Sequence, residues 1–235
     1  MNRFFASFAG ITAVLLLIYC LFTFNSKLSV VSAPPAQNRL IIIDAGHGGE
    51  DGGTSSADGI LEKDINLQIA LKLRSMLEIA GYQTIMTRDE DEQLGDLSLN
   101  TIRQRKVSDI RTRLKITQDN PEAIFVSIHQ NYYTSPKYSG LQVFYSPENI
   151  ESRALAECIR QSTVTLLQPD NTREIKEIGS NIYLLYNIKL PSVMVECGFL
   201  SNPQEAALLA EDSYQSKIAF SVLCGIQKYA EEKYG

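Results

Sequence analysis

Apolar positions along the chain alternate between two rhythms. Leu40-Ile41-Ile42-Ile43 is a short continuous apolar run, the pattern of a strand buried on both faces. From Glu62 to Ala80 the rhythm changes. Ile65, Ile69, Leu73, Met76, Leu77 and Ala80 recur at spacings of three and four, and Gly81 follows in a C-cap position, so an amphipathic helix is expected. Tyr82 to Thr87 then reads as a second strand, and Ile102 to Thr117, dense in Arg and Lys, as a second helix. Ala123 to His129 is another buried strand and Leu141 to Tyr145 a fourth. Ile150 to Leu167 is expected to be a helix, Ile182 to Tyr186 and Val193 to Glu196 two more strands, and Tyr214 to Tyr234 a closing helix. Strands alternating with helices predict an α/β fold, with a mostly parallel sheet of about six strands covered by helices on both faces.

The start of the chain follows neither rhythm. Met1-Asn2-Arg3 is cationic, and Phe4 to Phe24 carries no charged residue over 21 positions. At ~1.5 Å per residue, that run crosses a hydrocarbon core of ~30 Å as one transmembrane helix. With Arg3 inside, the positive-inside rule puts all that follows on the extracytoplasmic side. A cleaved signal peptide is the competing reading. Val31-Ser32-Ala33 offers small residues for cleavage, but Pro34 would follow the cut and the apolar run exceeds a signal core. Tyr19 is too bulky for a lipid-attachment box at Cys20. The expected organisation is a membrane anchor at 1-25, a linker rich in Ser, Ala and Pro at 26-38, and one catalytic domain at 39-235.

Composition narrows the partners. Hydrophobic content of 44% and charged content of 21% are globular, and a net charge of -5 argues against nucleic acid. Cys158, Cys197 and Cys224 sit among apolar neighbours without CxxC spacing and read as small buried hydrophobes.

The chain has two histidines, and both stand where a buried strand runs out. His47 follows Ile41 to Asp44, and His129 ends Ile124 to Ile128. Glu196 ends a third run, and Glu62 opens the first helix after a strand-to-helix loop. In open α/β sheets ligands bind outside the carboxyl ends of the strands, so the four side chains should meet at one sheet edge. Two imidazoles and a carboxylate suit zinc and leave its fourth tetrahedral position to water. Glu196 is then free to act as general base. Glycines 46, 48, 49, 52 and 53 let the backbone turn sharply and leave room for a large substrate.

Blander readings exist for each element. Glu62 could be a favourable first-turn acid with Asp64 as ligand in its place. Gly46-His47-Gly48-Gly49 could be a phosphate loop, although it lacks a Gly-Lys-Ser/Thr end and a GxGxxG. A Cys197/His129 thiol pair is conceivable. Adjacent strand residues face opposite ways, however, so a Glu196 in the site turns Cys197 into the packing.

Five segments occur in order: Ile43-Asp44-Ala45-Gly46-His47-Gly48-Gly49, Leu61-Glu62-Lys63-Asp64, Thr87-Arg88, Val126-Ser127-Ile128-His129-Gln130-Asn131, and Val195-Glu196-Cys197-Gly198-Phe199-Leu200-Ser201-Asn202. Together, over Leu40 to about Tyr229, the chain resembles the zinc-dependent N-acetylmuramoyl-L-alanine amidases of the amidase-3 family. The resemblance implies hydrolysis of the amide between the lactyl group of N-acetylmuramic acid and L-alanine of the stem peptide. It implies one zinc on His47, Glu62 and His129, with Glu196 catalytic, the assignment reached above from the residues. Asn131 is a candidate substrate contact. Ala45, Gln130 and Cys197 depart from the family pattern but remove no ligand. No long insertion separates His129 from Glu196, so self-inhibition by a helix over the metal is not expected.

An anchor plus a lone catalytic domain, with the basic stretch Ile102 to Arg113, looks like the sporulation and germination type acting on spore-cortex peptidoglycan. That places it in the forespore envelope of a spore-forming bacterium, with an accessory activator or lipoprotein as a candidate partner. Two other classes compete: another zinc peptidase of wall peptides, and a catalytically silent wall-binding scaffold, against which the full ligand set and Glu196 count.

Overall fold

Leu40–Ala45 forms β1, and its residues from Ile41 onward are buried, as the run of isoleucines requires. In the computed structural model, which describes residues 39–235, five further strands join it: β2 (Gln83–Met86), β3 (Ile124–Asn131), β4 (Gln142–Tyr145), β5 (Lys176–Glu177) and β6 (Ser192–Phe199). Their order across the single sheet is β2-β1-β3-β6-β4-β5. The first four in that order are mutually parallel, while β4 runs antiparallel to β6 and β5 runs with β4. The expected anchor at 1-25 and linker at 26-38 lie outside the described residues. Among those described, no helix is long and apolar enough to cross a membrane.

Alternation along the strands sorts side chains between two cores. Ile41, Ile43 and Ala45 of β1, Ile124, Val126 and Ile128 of β3, and Val193, Val195 and Cys197 of β6 share one buried cluster. Three helices cover it: α1 (Glu62–Ile79), α3 (Glu151–Leu166) and α6 (Asp212–Tyr234). The predicted stripe of α1 is its buried face, through Ile65, Ile69, Leu73 and Leu77. Ile42 of β1, Phe125 of β3 and Met194 of β6 form the opposite core, with Leu114 of α2 (Ile102–Asp119) and Leu185 of α4 (Tyr183–Asn187). A short α5 (Pro203–Leu209) precedes α6.

One expectation needs correction here. Ile182 to Tyr186 is no strand: Tyr183–Asn187 makes a single helical turn, with Leu185 buried. A five-residue apolar run has no period long enough to separate strand from helix. The Tyr186 N–H donates to the Ile182 carbonyl at 3.0 Å, and Asn187 Nδ2 to the Tyr183 carbonyl at 2.7 Å, so the run satisfies itself locally. The sixth strand is instead the polar pair Lys176–Glu177 at the sheet edge. Of the cysteines, Cys158 and Cys197 are buried and Cys224 is half-buried, all as free thiols.

Helices α3 and α6 approach closely at Gly225. A Cβ there would lie 2.4 Å from Ile159 Cα, a backbone atom that no rotamer change can move. Gly to Ala inside a helix normally gains up to ~1 kcal/mol, whereas overpacking costs ~1–3 kcal/mol. Gly225→Ala is therefore expected to lower stability by on the order of 1 kcal/mol, read as a lower midpoint in urea. An unchanged or raised midpoint would mean that the helices slide apart without loss.

Candidate metal centre and active site

Strand ends and one helix start bring the site together. His129 of β3 and Glu196 of β6 are Cα partners in register. His129 shares strand parity with Phe125, and Glu196 with Met194, both members of the second core, so alternation aims them to the same side of the sheet. Cys197 accordingly faces the other core and is fully buried. His47 lies two residues past the end of β1, and Glu62 is the first residue of α1.

One ligand atom from each of His47, Glu62 and His129 lies within 4.8 Å of the others, so the three could hold a metal ion. Glu62 stands between the imidazoles, with Oε2 3.3 Å from His47 Nε2 and Oε1 2.9 Å from His129 Nδ1. The rings meet nearly edge to face at a centroid distance of 5.0 Å. Asp64, the alternative ligand, is not in this cluster. Two glycines clear the space. A Cβ on Gly46 would come within 2.3 Å of the His129 ring, and one on Gly53 within 2.5 Å of Glu62 Oε2.

Two buried arginines hold the backbone that carries His47. Arg88 donates Nε to the carbonyls of Ala45 and His47, Nη2 to those of Gly46 and Lys63, and Nη1 to that of Glu90. Arg113 of α2 donates Nη1 to Asp44 and to the Ala45 carbonyl, and Nη2 to the His47 carbonyl at 2.8 Å. His47 is the one non-glycine among the described residues with positive φ, at 63°. Such strain costs of order 1–3 kcal/mol and persists only where the surroundings over-determine it. The two guanidinium groups supply that constraint.

Neither Asp51 nor Lys106 stood out in the sequence. Asp51 Oδ2 lies 3.0 Å from His47 Nδ1, and its other oxygen pairs with Lys106 Nζ at 2.7 Å. A carboxylate on the far ring nitrogen fixes tautomer and orientation and leaves Nε2 to face Glu62. The signal was present, since Asp51 is four residues from His47, yet that spacing means little in a loop. Burial opposes charge on His47, but Asp51 and Glu62 outweigh it and hold the imidazole up to about 9. Glu62 is also penalised by burial, and the hydrogen bonds of His129 and His47 pull it well below the usual carboxylate range.

Glu196 behaves in the opposite way. Burial is the main cause that pushes its carboxyl up to about 7, with His129 opposing and Glu62 adding. Its Oε2 is buried and has no hydrogen-bond partner among the described residues. A buried, unpaired acceptor beside a cluster of metal-binding type is placed to receive a proton. Asn131 closes β3 one bulge beyond His129, and its carbonyl accepts from Leu200 N. It is outside the lining of the cavity of about 390 Å³ that contains His47, Glu62, His129 and Glu196.

Comparison with known proteins identifies the family over nearly all the described residues. Residues 41–228 match the amidase-3 family, described as N-acetylmuramoyl-L-alanine amidase. The chain is 38% identical over 199 residues to the germination-specific N-acetylmuramoyl-L-alanine amidase of Bacillus subtilis (strain 168), covering 85% of this chain and 83% of that protein. Among solved structures, it is similar to the CwlD amidase from Clostridioides difficile in complex with the GerS lipoprotein. The TM-score is 0.81 at 41% identity, over 83% of this chain and 100% of that one. The amidase AmiC2 of Nostoc punctiforme gives 0.68 at 30%, over 82% and 97%. With residues 41–228 matched and relatives alike over more than four fifths of the chain, the chain belongs to the N-acetylmuramoyl-L-alanine amidases and is an amidase of peptidoglycan.

Proposed function

We propose that the enzyme hydrolyses the amide between N-acetylmuramic acid and L-alanine with one zinc held by His47, Glu62 and His129 and with Glu196 as general base. The observation that carries this reading is the convergence of those three side chains beside the unpaired Glu196 Oε2. Two imidazoles and one carboxylate are a donor set that suits catalytic zinc. When bound, zinc polarises the scissile carbonyl and acidifies the attacking water.

The chain's own residues do the remainder. Arg88 and Arg113 fix the loop that presents His47, and Asp51 orients its ring. Glu196 takes the proton of the attacking water as oxygen adds to the lactyl carbonyl carbon. It then returns that proton to the alanine nitrogen as the C–N bond breaks. The products are a free muramyl carboxylate and a peptide with a free L-alanine amino terminus.

The anchor at 1-25 tethers the domain through the linker 26-38 to the extracytoplasmic side of a membrane, and the substrate is spore-cortex peptidoglycan. Similarity to the germination-specific enzyme of Bacillus subtilis supports the cortex role. Similarity to an amidase solved with a lipoprotein supports a partner of that kind. Digestion of purified vegetative and cortex peptidoglycan with the zinc-loaded protein, followed by mass analysis, tests both bond and substrate. Products with internal peptide cuts and no free L-alanine terminus would identify a peptidase instead. Digestion of vegetative wall alone would refute the cortex assignment.

The role of Asp51 has its own test. Metal affinity or activity typically falls 10- to 100-fold when such an outer carboxylate is lost. Asp51→Ala should therefore weaken zinc binding by about that factor, measured by competition with a chelating dye. An unchanged affinity would mean that Lys106 and the loop backbone hold His47 without it.

A further inference from the structure

The loop from Tyr132 to Leu141 joins β3 to β4 at the sheet edge that carries the metal cluster, since Gln142 of β4 is the Cα partner of Glu196. It exposes three tyrosines: Tyr132 and Tyr133 at 53% each and Tyr138 at 36%. Exposed aromatic rings lack the burial that usually explains them.

The loop is nonetheless pinned at four backbone atoms. Tyr133 N donates to Ser201 Oγ (3.1 Å), and Gly140 N to Glu205 Oε1 (2.8 Å). The Tyr138 carbonyl accepts from Asn202 Nδ2 (3.2 Å), and that of Ser139 from Arg173 Nε (2.7 Å). The rings are ordered as well. Tyr133 meets Tyr138 edge to face at 4.9 Å, Tyr138 tilts against Phe199 at 6.3 Å, and the Arg173 guanidinium stacks 4.4 Å above Phe199.

A cavity of about 600 Å³ opens beside these rings, lined by Tyr138, Ser139, Thr172 and Arg173 among others. Arg173 commits its Nε and Nη1 to neutral oxygens, those of Ser139 and Gln142, while its charge acts on the nearby Glu205 carboxylate. Lys137, Asp170 and Glu205 also line the cavity, but the Glu205 carboxylate is occupied by the N–H groups of Gly140 and Phe199. Rigid aromatic faces beside free N–H and O–H donors suit a pyranose, which offers a C–H face for stacking and hydroxyl and acetamido groups for hydrogen bonds. Tyrosine gives such contact at small entropic cost, and pre-ordering lowers that cost further.

We propose that Tyr133, Tyr138 and Arg173 form a saccharide platform that binds an N-acetylhexosamine of the glycan strand next to the muramyl residue being cleaved. The platform rests on the reading of the chain as a peptidoglycan amidase, and Arg173 ties it to the strand next to Glu196 through Gln142 Oε1 at 3.3 Å. It holds a long polymer in register with the metal cluster, whereas a short muropeptide engages only the metal cavity.

The chain contains no tryptophan, so Tyr133→Trp in the full-length protein creates a single reporter at a half-exposed position. Titration with a tetramer of N-acetylglucosamine should give a saturable change in emission, weakened on the order of tenfold by adding Arg173→Ala. Independently, Tyr138→Ala should raise KM for polymeric peptidoglycan on the order of tenfold with kcat within about twofold. An emission change produced by sugar-free stem peptide, or none with the tetramer, would overturn the platform. So would an unchanged KM in a Tyr138→Ala protein that melts like the parent. The titration needs no turnover, so it is informative even if the bond assignment fails, and that assignment is judged by the parent enzyme's products alone.

Discussion

Glu196→Gln is expected to lower kcat on muropeptide by about 100- to 10,000-fold, the usual weight of a general base, while zinc stays bound. Gln keeps the shape of the side chain and loses its capacity to accept a proton at neutral pH. Glu196 occupies the strand position beside His129, and its Oε2 is unpaired. The substitution therefore breaks no protein hydrogen bond to that atom, and the loss should appear in turnover with little change in muropeptide binding. Two results would redirect the mechanism. Near-parent turnover with zinc present would make Glu196 structural. Loss of zinc along with activity would make it a ligand, and Glu62 would become the carboxylate to test as base.

His129→Ala should abolish zinc retention, because two protein ligands rarely hold catalytic zinc. The change removes His129 Nδ1 from Glu62 Oε1, but that oxygen still accepts from Gln130 N at 3.1 Å and Asn66 Nδ2 at 3.3 Å. The carboxylate should thus stay in place, and the variant should fold. Metal content after dialysis, alongside a thermal melt, separates loss of ligand from loss of fold. Stoichiometric zinc would remove His129 from the ligand set. The parent's affinity should also depend on pH. His47 is raised to about 9 without metal, so below that value a proton competes with zinc for its nitrogen, and affinity should fall as pH falls.

Much of the sheet was legible because apolar runs and period-three-to-four stripes are long-range regularities. β1, β3 and α1 are such segments; His47 follows the first, and His129 and Glu62 lie in the other two. Strand alternation alone put Glu196 and Cys197 on opposite faces. Short elements were not legible. Tyr183–Asn187 offered one turn's worth of pattern, and Lys176–Glu177 is a strand only because β4 pairs with it. Helix α5 had a readable start, Asn202 before Pro203, and the Asn202 side chain caps Gln204 N and Glu205 N. The outer partners Asp51, Lys106 and Arg113 come from segments distant in sequence, or from a loop without a period, and only the fold brings them to His47.

The arginine scaffold beneath the metal loop bears on how folding and metal uptake relate. In small zinc domains the ion assembles its own coordination sphere, and apo protein is unfolded. Here the carbonyls of Ala45, Gly46 and His47 are fastened by Arg88 and Arg113, and Asp44 is pulled down to about 2, against the penalty of burial, chiefly by the Arg113 charge. Guanidinium stays protonated across the range in which His47 titrates, so these fasteners are indifferent to a proton that would compete with zinc there. Stripping the ion should then resemble emptying a socket: the apoprotein keeps its cooperative melt and reloads without refolding. Fluctuations in zinc supply would in that case switch activity on and off in a population of intact molecules, and would not feed a pool of misfolded ones.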